Sequence, residues 1–316
     1  MANLGFLFPG QGSQSPGMGK DLYDHFPVAR ETFAEADAAL GFSLSRLCFE
    51  GPAEQLQLTA NTQPAILACS VAAYRVLVQH GVNASFVAGH SLGEYSALVA
   101  AGCMSFADAV RIVRHRGQYM QEAVPVGTGA MAALLGISLE QVEQVCREAA
   151  VGEVVAPANI NSPEQIVVAG HAGAVGRAME AALAAGARRA VSLPVSAPFH
   201  CSLMQPAQQR LAPELEALRL ADLAVPLVNN ARAEVVHNAR QARQGLLDQI
   251  SSPVLWEQGI RKLVSLGAER FVEVGPGRVL SGLLRQIERS IPAANVEDRK
   301  SLEKTLAAVA PEVTPY

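Results

Sequence analysis

The chain has 316 residues, half of them apolar, and sets 25 Lys and Arg against 29 Asp and Glu for a net charge of −4. That length allows one large domain or two moderate ones with ample core, and the slightly acidic balance argues against a protein built to wrap nucleic acid or coat an anionic membrane. The start lacks basic residues and breaks at Pro9, no apolar run reaches 18 residues, and the five cysteines form no C-x-x-C pair. A secretory signal, a membrane span, a disulfide framework and a zinc site are therefore not expected. A cytoplasmic location is, with most cysteines acting as small buried apolar residues.

Residues 4–8 read as a short apolar strand that runs into "FPGQGSQ" at Phe8. The tight glycine turn would leave backbone N–H groups unpaired and pointing outward. Incomplete G-x-G spacing and the lack of a following G-K-[ST] exclude a phosphate cradle. Two readings stay open: a plain loop, or one half of an oxyanion hole paired with the Leu92 N–H at the helix start.

Residues 85–88 read as a second strand, leading into "GHSLGEYSAL" at Gly89 and a helix over 92–101 that Gly102 stops. G-x-S-x-G suits a sharp strand-to-helix turn with an exposed serine, which makes Ser91 a candidate nucleophile. The same stretch fits a capping box, in which Ser91 only caps the helix and Glu94 serves its dipole. His90 would point to the other face and support the turn.

A helix opens at Ser105, capped through Asp108. Its stripe of Phe106, Ala109, Val110, Val113, Gly117 and Met120 carries Arg116 on its edge, whereas Arg111, Arg114 and His115 point away. Arg111 and Arg114 read as solvated. A guanidinium beside an apolar stripe is costly unless it meets an anion, and its fork fits a carboxylate. That anion is either a ligand or a structural salt-bridge partner.

From residue 126 the rhythm changes. A strand over 130–135, a helix over 138–149, a strand over 154–160, a turn at 161–163, a strand over 165–169, a helix over 175–185 and a strand over 190–194 make a βαββαβ unit. This predicts a ferredoxin-like small domain at 126–196, inserted into a large α/β domain of residues 1–125 and 197–316. Gly127, Gly129, Pro194 and Pro198 mark the crossings, and the cleft between the domains is the expected ligand site. Just past the second crossing, "VSAPFHCSLM" supplies His200, the best candidate for a base, although a lone loop histidine is commonly an ordinary surface residue. No acid stands out as a third member, and a backbone carbonyl can orient an imidazole equally well. A strand over 270–274 completes a largely parallel central sheet.

"FPGQGSQ" at Phe8, "GHSLGEYSALVAAG" at Gly89, "RGQYMQEAVPVGTGAMAALLG" at Arg116, "NINSPEQIVVAG" at Asn159, "SAPFHCSLMQPA" at Ser196, "SSPVLW" at Ser251 and "VEVGPGRVL" at Val272 follow one family's order. The chain resembles, nearly end to end, the malonyl-CoA:acyl carrier protein transacylases of fatty acid synthesis and the related polyketide acyltransferases. The resemblance implies a hydrolase-like α/β domain with a ferredoxin-like insert. It implies Ser91 as the acylated nucleophile and His200 as general base and acid, oriented by the main-chain carbonyl of Gln249. Gln11 and Leu92 amides would form the oxyanion hole, Arg116 would hold the free malonyl carboxylate, Asn159 would assist as a polar neighbour, and Phe199 would be the malonyl-type choice beside the histidine.

The implied reaction is a ping-pong transfer from malonyl-CoA to the phosphopantetheine thiol of acyl carrier protein. It needs no bound cofactor or metal, and neither nucleic acid nor membrane as partner; a monomer is expected. The alternatives are a free-standing polyketide-pathway acyltransferase, a serine hydrolase or thioesterase, and a non-catalytic subunit that holds carrier protein. The hydrolase would need a late histidine, and the last candidate is His237, in a polar segment with no apolar strand before it.

Overall fold

Strand β1 (Leu4–Phe8) is buried on both faces, as a central strand of a parallel sheet must be, and its side chains alternate between two cores. Phe6 and Phe8 enter the larger one; Leu7 enters a smaller one with Phe271 and Trp256. The computed structural model describes residues 3–195 and 197–309. After β1 the strands are β2 (Phe86–Gly89), β3 (Gly129–Leu135), β4 (Val155–Ser162), β5 (Gln165–His171), β6 (Arg189–Ser192), β7 (Leu227–Val228), β8 (Val235–Val236), β9 (Arg270–Val274) and β10 (Ala293–Val296).

Two sheets result. The central one has the order β10-β9-β1-β2-β7-β8, parallel throughout except for the β7–β8 hairpin pair. The other has the order β4-β5-β3-β6 and is antiparallel. Helices Leu139–Ala150 and Ala172–Ala184 close it, with Val142, Val145, Val175 and Ala178 packed on Leu134 and Val168. The fold is thus α/β, a largely parallel central sheet with a ferredoxin-like βαββαβ unit, as the element order predicted, and it has the hydrolase-like layout that the resemblance implied. The expected boundary at 196 and residues 310–316 lie outside the described residues.

Several local expectations are corrected. Strand β4 continues through Asn161 and Ser162, and the turn follows at 163–164. The extra residues are held from outside the unit, since Ser162 Oγ donates to Gln286 at 2.6 Å. The second helix of the unit begins at Ala172 rather than 175. Strands β7, β8 and β10 were not expected, being two to four residues long and without alternation. His237 does follow a short apolar strand, β8, and is exposed.

Strand β4 is tied by backbone to the segment that precedes helix Trp256–Ser265. Ile160 N–H donates to the Val254 carbonyl and Val254 N–H to the Ala158 carbonyl, both at 2.9 Å. At the crossings Gly129 packs on Pro198, where a Cβ would lie 2.3 Å from the proline ring. Among the described residues, no helix is long and apolar enough to cross a membrane.

Candidate active site

Open parallel sheets present ligand sites at the carboxyl ends of their strands, where loops depart and backbone groups are left over. Here the loops after β1, β2 and β7 meet. Two glycines make the β2 turn possible. A Cβ at Gly89 would lie 1.9 Å from the Gly93 carbonyl, and one at Gly93 would lie 2.0 Å from the Phe8 carbonyl oxygen. The turn therefore folds flat onto itself and onto the end of β1. Between the glycines Ser91 takes φ 51°, a left-handed conformation that costs a residue with a Cβ about 1–3 kcal/mol. The capping alternative is not what forms: helix Gly93–Ala100 has no side-chain cap, and Ser91 Oγ points elsewhere.

It points at His200, whose Nε2 lies 2.7 Å away. His200 itself takes φ 60° and is 3% exposed, so it is no ordinary surface histidine. Its Nδ1 lies 2.9 Å from the Gln249 carbonyl oxygen. A carbonyl only accepts, so Nδ1 carries the proton and Nε2 is left to accept from the serine hydroxyl. Burial first, and then the Arg116 charge, pushes His200 down to about 3, which keeps the imidazole neutral.

The 3.6 periodicity of helix Phe106–Glu122 delivers Arg116 to the same point. Ser105 caps the helix by accepting from Asp108 N–H at 3.1 Å. Arg116 is 1% exposed and donates to Gln63 Oε1 and Gln249 Oε1, both at 2.8 Å, and to Ser91 Oγ at 3.2 Å. All three partners are neutral. Among the described residues it forms no salt bridge, and its Nε–H has no partner. No carboxylate among the described residues lies within ion-pair distance of this buried guanidinium, and Glu94 reaches it only across Gln249, so its charge is left without direct neutralisation, at a cost of several kcal/mol. The solvated reading of Arg114 is corrected: it donates to the Ala60 carbonyl and to Asn61, with the Phe42 ring 5.2 Å from its guanidinium carbon. Arg111 is exposed and pairs with Asp108.

These groups surround a cavity of about 100 Å³. Gln11, Ser91, Leu92 and Arg116 line it from the central-sheet side, Met131 and Asn159 from the small sheet, Leu193 from just past the end of β6, and Phe199 and His200 from the loop that follows. The Gln11 and Leu92 amide N–H groups have no acceptor among the described residues. Gly10 lets the first loop press on the serine turn, where a Cβ would lie 2.4 Å from the His90 carbonyl oxygen. His90 turns away, donating from Nε2 to Asn161 Oδ1 at 2.7 Å. No three His, Cys, Asp or Glu side chains among the described residues are grouped to hold a metal ion.

Sequence reasoning missed three contributors. Gln63 supports Arg116 from helix Thr59–Gln79. Glu94 is buried beneath the turn, where its Oε2 accepts from Asn230 N–H at 3.0 Å and Gln249 Nε2 at 2.8 Å. Burial pushes it up to about 7. Asn230 follows β7 and contacts the serine turn directly. Glu94 did carry a signal, since a charge inside an otherwise apolar helical turn needs partners; Gln63 and Asn230 carried none.

The acyl transferase domain model matches residues 5–311. Malonyl CoA-acyl carrier protein transacylase of Escherichia coli O157:H7 is 50% identical over 307 residues, covering 97% of this chain and 99% of that one. The Bacillus subtilis enzyme of the same name is 47% identical over 313 residues, with 99% of both covered. Among solved structures, the malonyl CoA-acyl carrier protein transacylase of Coxiella burnetii superposes with TM-score 0.96 at 42% identity, over 98% of each chain. A malonyl-transacylase solved in complex with its type II PKS acyl-carrier protein superposes with TM-score 0.95 at 46% identity, over 97% of this chain and 100% of that one. The chain belongs to the acyl transferase family, alongside the malonyl CoA-acyl carrier protein transacylases.

Proposed function

We propose that this protein transfers a malonyl group from malonyl-CoA to the phosphopantetheine thiol of acyl carrier protein, through an ester on Ser91, and so supplies fatty acid synthesis. The observation that carries the reading is Arg116, buried, charged, paired only with neutral groups and 3.2 Å from Ser91 Oγ. An acyl group attached at that oxygen, with a carboxylate at its far end, fits such a receptor.

In the first half-reaction Ser91 Oγ gives its proton to His200 Nε2 and attacks the thioester carbonyl. The Gln11 and Leu92 amides hold the oxyanion, and collapse expels the CoA sulfur, which takes the proton from His200. In the second half-reaction the carrier thiol gives its proton to His200 and attacks the ester carbonyl. Ser91 Oγ leaves and recovers the proton. The Gln249 carbonyl keeps the imidazole in one tautomer throughout. Arg116 neutralises and fixes the acyl unit, Asn159 offers a polar contact, and the bulk of Phe199 disfavours a methyl branch.

We read residues 1–125 and 197–316 as the catalytic domain, and 126–196 as an inserted wall of the cleft. We read the protein as a cytoplasmic monomer that works without a bound cofactor, nucleic acid or membrane. The experiment is acylation with radiolabelled malonyl-CoA, digestion and mass spectrometry. Label on the Ser91 peptide that moves to added carrier protein is the expected result; CoA release at the same rate without an acceptor would indicate a hydrolase instead.

A further inference from the structure

Asn230 is 3% exposed and sits two residues beyond the end of β7, the neighbour of β2 in the central sheet. Its side chain spans the serine turn. Oδ1 accepts from Ser91 N–H at 2.6 Å, and Nδ2 donates to the Gly89 carbonyl at 2.7 Å. One acceptor and one donor offered to alternate residues of a strand is what a single residue of an adjacent parallel strand supplies through its C=O and N–H. The side-chain amide thus continues the ladder past the point where the β7 backbone has ended.

The main chain of Asn230 is committed elsewhere, its N–H to Glu94 Oε2 at 3.0 Å and its carbonyl to Leu255 N–H at 2.9 Å. The side chain is therefore anchored at its root. A left-handed serine persists only where its surroundings over-determine it. The Ser91 carbonyl accepts from Gln249 Nε2 at 3.0 Å and Glu94 N–H at 3.1 Å, whereas among the described residues the Ser91 N–H has Asn230 alone. Relaxation of Ser91 toward negative φ would swing Oγ off the His200 contact and turn the following Leu92 N–H away from the cavity.

We propose that Asn230 is a positioning residue for acyl transfer, its side-chain amide acting as a strand-mimicking clamp that holds Ser91 in the left-handed conformation. The inference rests on Ser91 being the acylated nucleophile. Asn230 touches no substrate and moves no proton.

The test is rapid-quench acylation with malonyl-CoA. Asn230→Ala keeps every main-chain bond of the residue, so the acylation rate constant should fall about 100-fold, as small misplacements of reacting groups do. Malonyl-CoA affinity should stay within about threefold, because Asn230 does not line the cavity and reaches Arg116 only by way of Gln249, whose Nε2 lies 3.4 Å from Asn230 Oδ1 and keeps its shorter bonds to Glu94 and the Ser91 carbonyl. Asn230→Asp adds a readout that a merely structural role would not move. A neutral carboxyl reproduces both bonds, its C=O accepting from Ser91 N–H and its O–H donating to Gly89. An ionised one turns a lone pair on the Gly89 carbonyl.

The charged groups facing this position are Glu94, on helix Gly93–Ala100, and, beyond Gln249, Arg116 and His200. Burial favours the neutral form of the introduced carboxyl throughout, and Glu94 adds to it at the upper end of the range, where it is ionised. The ratio of the Asn230→Asp rate to the wild-type rate should therefore rise as pH falls from 8 to 5, and taking the ratio removes titrations that the two proteins share. An alanine variant acylating within threefold of wild type, or a ratio flat with pH, overturns the clamp while Ser91 labelling in wild type keeps the transfer reading intact. Wild type that leaves Ser91 unlabelled overturns both. If the alanine variant does not fold, the pH series decides alone.

Discussion

His200 Nε2 and Ser91 Oγ lie 2.7 Å apart, and both residues reach that distance from a left-handed backbone, φ 60° and φ 51°. Two strained residues facing each other are rarely an accident of packing, because each must be held by its surroundings. His200→Ala should slow Ser91 acylation about 10²- to 10⁴-fold at neutral pH. Because burial and Arg116 push His200 down to about 3, its base form persists far below the usual histidine range. The acidic limb of kcat/KM for malonyl-CoA should accordingly fall below pH 5. A limb bending near 6.5, the value of a solvated histidine, would contradict the assignment.

Arg116 meets only neutral partners in the described structure. Arg116→Ala should reduce malonyl transfer far more than acetyl transfer, since the second acyl group has no carboxylate. Losing one partner of a desolvated charge pair costs about 3 kcal/mol, so the malonyl-to-acetyl preference should drop about 100-fold. Parallel kcat/KM measurements with the two acyl-CoAs check this, and equal losses would remove Arg116 from carboxylate recognition.

Glu94 sets a pH signature on stability. Its carboxyl is raised by burial from 4.5 to about 7, so between those values the folded chain holds more proton than the unfolded one, and this contribution falls as pH rises. His200, lowered from 6.5 to about 3, acts oppositely: the unfolded chain binds the extra proton, and stability rises with pH through that window. Glu94→Gln removes only the first effect, while its carbonyl can still accept from Asn230 and Gln249. Variant-minus-wild-type stability should climb between pH 5 and 7 and level off above. Urea midpoints at pH 5, 6, 7 and 8 test it; a constant difference would show that Glu94 is not proton-linked.

Gly93 is placed by steric contact rather than by φ. Gly93→Ala would set a methyl 2.0 Å from the Phe8 carbonyl oxygen, and two backbones cannot part as two side chains can. A loss of roughly 3 kcal/mol in unfolding free energy is expected, together with loss of Ser91 acylation, since the serine turn must lift off β1. Full activity with unchanged thermal stability would show that the turn has slack.

Some of this was legible in advance because it is local. The stripe along helix Phe106–Glu122 placed Arg116 beside apolar neighbours, and 3.6 residues per turn carried that reading to a buried guanidinium. The strand–turn–helix context of "GHSLG" pointed to a serine standing out of a sharp turn, although Ser91 is half-buried and not exposed, and the order of elements in 129–192 pointed to a ferredoxin-like unit. Arg114 failed the same test: it lies off the stripe, yet it is covered by residues from an earlier helix, which periodicity within one helix does not register. Strands β7 and β8 escaped because two residues cannot display alternation.

The sequence by itself determined which short segments become strands and helices, where glycine lets the backbone turn sharply, and which side chains could carry acyl-transfer chemistry. Those follow from interactions among neighbours a few residues apart. Only the tertiary structure decided which of them meet. Ser91 and His200 are 109 residues apart in the chain, and Ser91 and Asn230 are 139 apart. Their approach depends on strand order in a parallel sheet, on a crossing loop seated against Gly129, and on burial that strips water from Arg116 and His200. None of these is a property of any short stretch of chain, because each arises when distant segments exclude solvent together.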